Sequence, residues 1–325
     1  MSVPRAVLPG LTVMVSRRTT RRHFLFRPDE SRACQLGFLY ILAVVAKELG
    51  VLVHAVVLMS DHLHAIVTDT RGVLPDFHRE HHRLFANFTK VLRGWSEEVF
   101  NKSQTSVVEL LTPDVLVQKL AYVIANPVAC GAVRYSDEWP GVTVSANDIG
   151  RRVFRIERPK HYFDPDNPRW PDVVELPIVM PEALVRDRGE EQARRDIALA
   201  VERHEAEAHA EARKENKTFL GARRVMSVPI HARGSEYEEF GARNPTFAAG
   251  RDSPAAFEAV RQRRTFRSDH RDALERWRQG DRTVVLYGGR SAPYWLAPAG
   301  FRAPPSEPGV HLSLCTGLSI DADAE

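Results

Sequence analysis

Cysteine is scarce: the 325 residues contain three, Cys34, Cys130 and Cys315, far apart and odd in number. That pattern argues against a disulfide framework or a cysteine-built metal cluster and suits a reducing compartment. Long apolar runs are missing as well. No stretch approaches the roughly 20 apolar residues that a bilayer span requires. The N-terminus lacks a signal-peptide layout, so a soluble, cytoplasmic protein with no membrane partner is expected. Charge of one sign is also lacking overall, with 45 basic residues against 42 acidic ones and a formal net charge of +3. Composition therefore does not announce a nucleic-acid partner. Locally the balance is different. Up to Pro28 every charged side chain is an arginine: Arg5, Arg17, Arg18, Arg21, Arg22 and Arg27.

What is present begins with a short β-branched run, residues 11–16, which reads as a strand leading into an arginine-loaded turn. Arg17, Arg18, Arg21 and Arg22 there form either a solvated loop or a clamp on a phosphate backbone, since the planar guanidinium fork matches phosphate. Capping residues at 28–31 open a helix whose apolar spacing runs from Phe38 to Leu49 and stops at Gly50. Residues 51–59 are nearly all apolar and read as a buried strand. Ser60-Asp61 makes a tight turn into an antiparallel partner over 62–68, with one long strand through Ser60 as the alternative.

His62 and His64 lie two apart on that partner strand and so project from one face, as half of a metal site. A second helix follows, with an apolar stripe from Leu74 to Leu92, a basic face of Arg79, Arg83, Lys90 and Arg93, and a stop at Gly94. His78, His81 and His82 fall on different parts of its surface and are assigned to packing. Residues 105–111 read as a strand. Thr112-Pro113-Asp114 opens a third helix, on which Tyr122 and Asn126 are four apart and share a face with Lys119, off the core stripe. Pro127 puts Asn126 in a frayed last turn.

The order strand, helix, strand, strand, helix, strand, helix predicts an α+β fold, a ferredoxin-like antiparallel sheet with helices on one face. In this order the two motifs, His62-Leu63-His64 and Tyr122-Val123-Ile124-Ala125-Asn126-Pro127-Val128, resemble those of the REP-associated tyrosine transposases of the HUH single-tyrosine superfamily. The resemblance spans about the first 145 residues.

The resemblance implies that His62, His64 and Asn126 are ligands of a divalent metal, Mg²⁺ or Mn²⁺. It implies that Tyr122 is the nucleophile for nicking and joining single-stranded or hairpin DNA through a 5′-phosphotyrosine. It also directs attention to Arg17, Arg18, Arg21, Arg22, Lys90 and Lys119 as DNA contacts. Two departures from the family pattern are Ala129, where relatives carry a basic residue, and residues 100–104, where a Trp-Gln/basic segment is usual. A hairpin-binding protein without cleavage, and an unrelated ferredoxin-like module with a structural His pair, are the competing readings. Monomer and dimer are equally compatible with the sequence.

The remainder divides the chain at 1–150, 151–180 and 181–325. Pro159, Pro165, Pro168, Pro171 and Pro177 mark the middle part as an extended connector. The third part is a mostly helical extension with no visible chemistry: a long polar helix interrupted at Gly189, a short helix near 219–228, a helix over 255–280 and strand character over 283–296. Arg261, Arg263, Arg264, Arg267 and Arg271 on the last helix read as a solvated face ahead of a DNA contact.

Overall fold

The computed structural model describes residues 6–102, 105–160, 162–234, 245–281 and 284. The first seven elements follow the expected order: β1 (Leu11–Arg18), α1 (Ala33–Leu49), β2 (Val51–Leu58), β3 (His62–Asp69), α2 (Leu74–Arg93), β4 (Ser106–Leu110) and α3 (Pro113–Ala129). The sheet runs β2-β3-β1-β4, with β3 antiparallel to both neighbours and β4 antiparallel to β1. This is the ferredoxin-like arrangement, in which each helical crossover skips one strand and returns. Ser60 and Asp61 do form the turn of a β2–β3 hairpin, with Met59 N–H donating to His62 O at 2.8 Å.

The crossover helices differ in character. α1 is apolar almost all round and buried from Phe38 to Ala46, as a helix covered on every side must be. α2 is amphipathic and lays Phe77, Leu84, Phe85 and Phe88 against it. Gly37 permits the approach, because a Cβ there would sit 2.1 Å from the Phe88 ring. Buried Asp69, the last residue of β3, accepts from the backbone N–H groups of Val73 and Leu74 and so anchors the start of α2. Both helices end at glycines with positive φ, Gly50 at 67° and Gly94 at 60°. α1 begins at Ala33, later than its capping signal: Arg32 occupies the N-cap and Asp29 pairs with Arg93 at 3.1 Å.

The second side of the sheet is used as well. α3 packs across β2 and β3, and a helix from the extension packs along α3. That helix is α5 (Glu190–Lys214), separated at Gly189 from α4 (Glu182–Arg188). The expected interruption is therefore present.

Residues 151–180 are a folded part of the core rather than an extended connector. β5 (Val153–Glu157) and β6 (Val173–Pro177) pair as an antiparallel hairpin. Between them Phe163 and Trp170 pack at tilted angles against Tyr40, whose hydroxyl donates to Pro171 O at 2.7 Å. Arg169 ties the hairpin to Glu48 of α1 and Glu80 of α2. The prolines mark loop positions, but aromatic burial holds the loop in place. Further on come α6 (Ala222–Ser227), the short β7 (Phe247–Ala248), which adds to β4 in parallel, and α7 (Ser253–Arg278). The strand character at 283–296 lies outside the described residues, apart from Val284. Among the described residues, no helix is long and apolar enough to cross a membrane.

Candidate active site

The β1–β3 ladder sets Ser16 directly opposite His64 and Arg18 opposite His62. Ser16 Oγ lies 2.6 Å from His64 Nδ1, and Asp61 Oδ1 lies 2.7 Å from His62 Nδ1. Each imidazole thus has one nitrogen engaged by a neighbour that fixes its rotation, and Nε2 is the nitrogen left to face a ligand. The rings stand 4.9 Å apart at 73°. Both histidines are buried, as is Asn126.

Asn126 comes from α3, and its Oδ1 is 3.0 Å from His62 Nε2. The expectation of a frayed last turn at Asn126 is not met. The helix continues through Pro127 to Ala129, and Cys130 N–H donates to Asn126 O at 2.9 Å. Packing against the sheet and α5 outweighs the local preference imposed by the proline. Tyr122, one turn earlier, is half-buried; its ring is 5.5 Å from that of His64, and Lys119 Nζ stands 5.4 Å above it. His62, His64, Asn126 and Tyr122 therefore converge.

Charge within this group is organised around His62. Burial alone would lower its pKa, but Asp61 on Nδ1, with the Cys130 sulfur adding to it, pushes it up to about 9. Burial would raise Asp61, and hydrogen bonds from His62 and Arg22 outweigh this and hold it below the usual carboxylate value. His64 is driven well below the ordinary imidazole range, first by burial and then by the charges of His62 and Arg18.

With Nδ1–H donating to Asp61, a neutral His62 would point an Nε2 lone pair at the Asn126 oxygen. A proton or a metal cation between the two atoms would make that contact favourable. A metal ion can occupy the same place: neighbouring ligand atoms on an octahedral ion about 2.1 Å from each are separated by roughly 3 Å, the spacing observed. Two imidazole nitrogens and an amide oxygen suit Mn²⁺ or Mg²⁺ and leave the ion its full charge. Among the described residues no three His, Cys, Asp or Glu side chains form a metal cluster; the amide of Asn126 is the further oxygen that meets the histidine pair.

The basic residues assigned to DNA sort into different places. Arg17 and Arg18 belong to the end of β1 and not to a loop. Arg17 lies over Phe100 and donates to Asn101 O at 2.7 Å, so it braces the 100–102 segment. Arg22 is bound to Asp61 at 2.9 Å, behind the Asp61–His62 contact. Arg21 is exposed in the turn. Lys119 stands over the Tyr122 ring, whereas Lys90 is in the last turn of α2, which packs on α1. The basic face of α2 is otherwise committed: Arg79 pairs with Asp76, Arg83 with Glu80 and Arg93 with Asp29.

His78, His81 and His82 lie closer together than expected, with the His82 ring centroid 5.7 Å from that of His78 and 5.6 Å from that of His81, but in aromatic packing that includes Phe38, Phe77 and Phe100. On α7, Arg263 pairs with Glu109 and Arg261 with Glu258.

Sequence reasoning missed Ser16, Asp61 and His204. Asp61 adjoins His62 and was legible as a ligand support; Ser16 needed the strand register. His204 of α5 has its ring 6.5 Å from that of Tyr122, and no local pattern announces it.

No protein-family model matches the chain, and no curated protein matches it either. Solved structures that are similar include two transposases. One is the REP-associated tyrosine transposase bound to a REP hairpin, at 18% identity and a TM-score of 0.38, covering 46% of this chain and 84% of that one. The other is a candidate transposase from Deinococcus radiodurans R1, at 22% identity and a TM-score of 0.26, covering 33% of this chain and 85% of that one. Both similar structures bear the transposase name. The case for a reaction rests on the side chains above.

Proposed function

We propose that this chain is a metal-dependent enzyme that nicks and joins single-stranded DNA through a 5′-phosphotyrosine on Tyr122. The observation that carries the reading is the meeting of His62 Nε2 and Asn126 Oδ1 at 3.0 Å beside the Tyr122 ring. A phenol with an ordinary pKa of about 10 is a weak nucleophile at neutral pH and has to be aimed and relieved of its proton.

Here α3 aims it. Tyr122 and Asn126 occupy successive turns of one rigid helix, so the attacking oxygen and the third ligand move as a unit. His62, His64 and Asn126 would hold the divalent ion, which when bound withdraws charge from the scissile phosphate and fixes its orientation. Tyr122 then attacks phosphorus and the 3′-oxygen departs. The covalent link conserves the phosphodiester energy, so a 3′-OH can reverse the step and join strands without a nucleotide cofactor. Lys119 and Arg18 flank the site with positive charge suited to the phosphate backbone. The hairpin form of the substrate is taken from the motif resemblance.

The test is incubation with hairpin oligonucleotides and Mn²⁺. The wild-type protein should give a protein–DNA band that survives denaturation, and Tyr122→Phe should lose the band while still binding DNA. Unchanged cleavage by Tyr122→Phe overturns the assignment. A hairpin-binding protein without cleavage would give binding and no band.

A further inference from the structure

The extension contributes an imidazole to the nucleophile. His204 of α5 meets the Tyr122 ring edge to face, with centroids 6.5 Å apart and planes at 79°. Its Nε2 is buried and has no hydrogen-bond partner among the described residues, a costly condition for a polar atom unless a partner arrives during function. Nδ1 lies 3.6 Å from Glu207 Oε2, within ion-pair reach though too long for a hydrogen bond.

Two further groups that meet the Tyr122 ring, His64 and Lys119, are unsuited to taking its proton. His64 has Nδ1 engaged by Ser16, and its Nε2 belongs to the metal site. Lys119 presents an ammonium, which has no lone pair. His204 itself meets Tyr122 on α3 and Glu207 on α5, while Lys119 and His64 meet the tyrosine ring.

We propose that His204 takes the phenolic proton of Tyr122 as its oxygen attacks; this rests on the reading of Tyr122 as nucleophile. The Tyr122 oxygen–phosphorus bond forms and the phosphorus–O3′ bond breaks. The phenolic proton passes to His204 Nε2, and the departing 3′-oxygen takes a proton from water. In joining, the incoming 3′-OH attacks phosphorus and gives its proton to water, while the His204 imidazolium returns its own proton to the leaving tyrosine oxygen. The nucleophile, its base and the carboxylate behind the base would then follow the general order of an activated nucleophile. The helical extension would belong to the catalytic machinery.

The experiment uses the full chain, hairpin oligonucleotides and Mn²⁺, and measures the single-turnover rate of adduct formation for wild type, His204→Ala, His204→Gln and Tyr122→Phe. Both His204 variants should slow by about 10²- to 10⁴-fold, with DNA binding, Mn²⁺ affinity and melting temperature unchanged. Added imidazole should restore His204→Ala, and more basic imidazoles should restore it further, a dependence that a packing role would not produce. If both His204 variants react within twofold of wild type while Tyr122→Phe gives no adduct, the nucleophile stands and the role of His204 is overturned. Slowing that comes with lost Mn²⁺ binding or melting and is not rescued by imidazole also overturns it. No adduct from the wild type would sink the nucleophile reading and this inference together.

Discussion

Arg22 and His62 grip the same carboxylate from opposite sides: Arg22 Nε reaches Asp61 Oδ2 at 2.9 Å and His62 Nδ1 reaches Asp61 Oδ1 at 2.7 Å. A residue from the arginine-loaded turn therefore acts on the candidate metal site through two intermediaries. Ligand supports of this kind commonly account for about 10- to 100-fold in metal affinity. Asp61→Asn keeps the size of the side chain and removes the charge, so Mn²⁺ affinity measured by calorimetry should fall within that range. Arg22→Gln should weaken it less, because Asp61 retains its bond to His62. Full affinity in Asp61→Asn would show that the carboxylate does not support the ligand.

Gly37 and Phe88 set the distance between α1 and α2. A Cβ at Gly37 would lie 2.1 Å from two carbons of the Phe88 ring, and that ring is itself packed against Phe85, Tyr162 and Phe163. It has little room to yield. Gly37→Ala should therefore cost about 1–3 kcal/mol, the usual range for overpacking a filled core, read as a lower urea midpoint. Adding Phe88→Leu should recover part of the loss, so the two substitutions would be non-additive.

The balance between what was legible and what was hidden follows from the range of the interactions. Alternation placed His62 and His64 on one face, and a four-residue step placed Tyr122 with Asn126, because strand and helix periods are local. The strand and helix order gave the sheet for the same reason. Residues 151–180 misled because prolines are visible in a sequence, whereas the burial of Phe163 and Trp170 against Tyr40 is decided over a separation of more than one hundred residues. Arg17 and Arg18 read as loop residues because charge runs usually are exposed, yet β1 extends to Arg18 through its pairing with His62. His204 was invisible for a related reason: α5 carries few large apolar residues, and its docking on α3 depends on small ones such as Ala193 and Ala200.

The fold buries neutral histidines, and this sets its acid sensitivity. His54 is enclosed between Val179 O and Thr68 Oγ1 and His81 lies among Phe38, Phe77 and Phe85; burial pushes each down to about 4. In the unfolded chain both return to about 6.5. Below that pH the unfolded chain takes up protons that the fold refuses, so stability falls as pH drops from about 6.5 to about 4, by on the order of 3 kcal/mol for each group. His62 acts in the opposite sense. Its raised value of about 9 gives the metal-free protein a contribution that is complete below about 6.5 and fades as pH rises to about 9. Unfolding midpoints of the metal-free protein should therefore be highest near pH 6.5 and decline on both sides. His81 Nε2 has no partner among the described residues, so His81→Phe removes a titrating group without stranding another polar atom. It should flatten the acid limb while leaving the alkaline limb in place. An acid limb of unchanged steepness in His81→Phe would mean that other groups govern it.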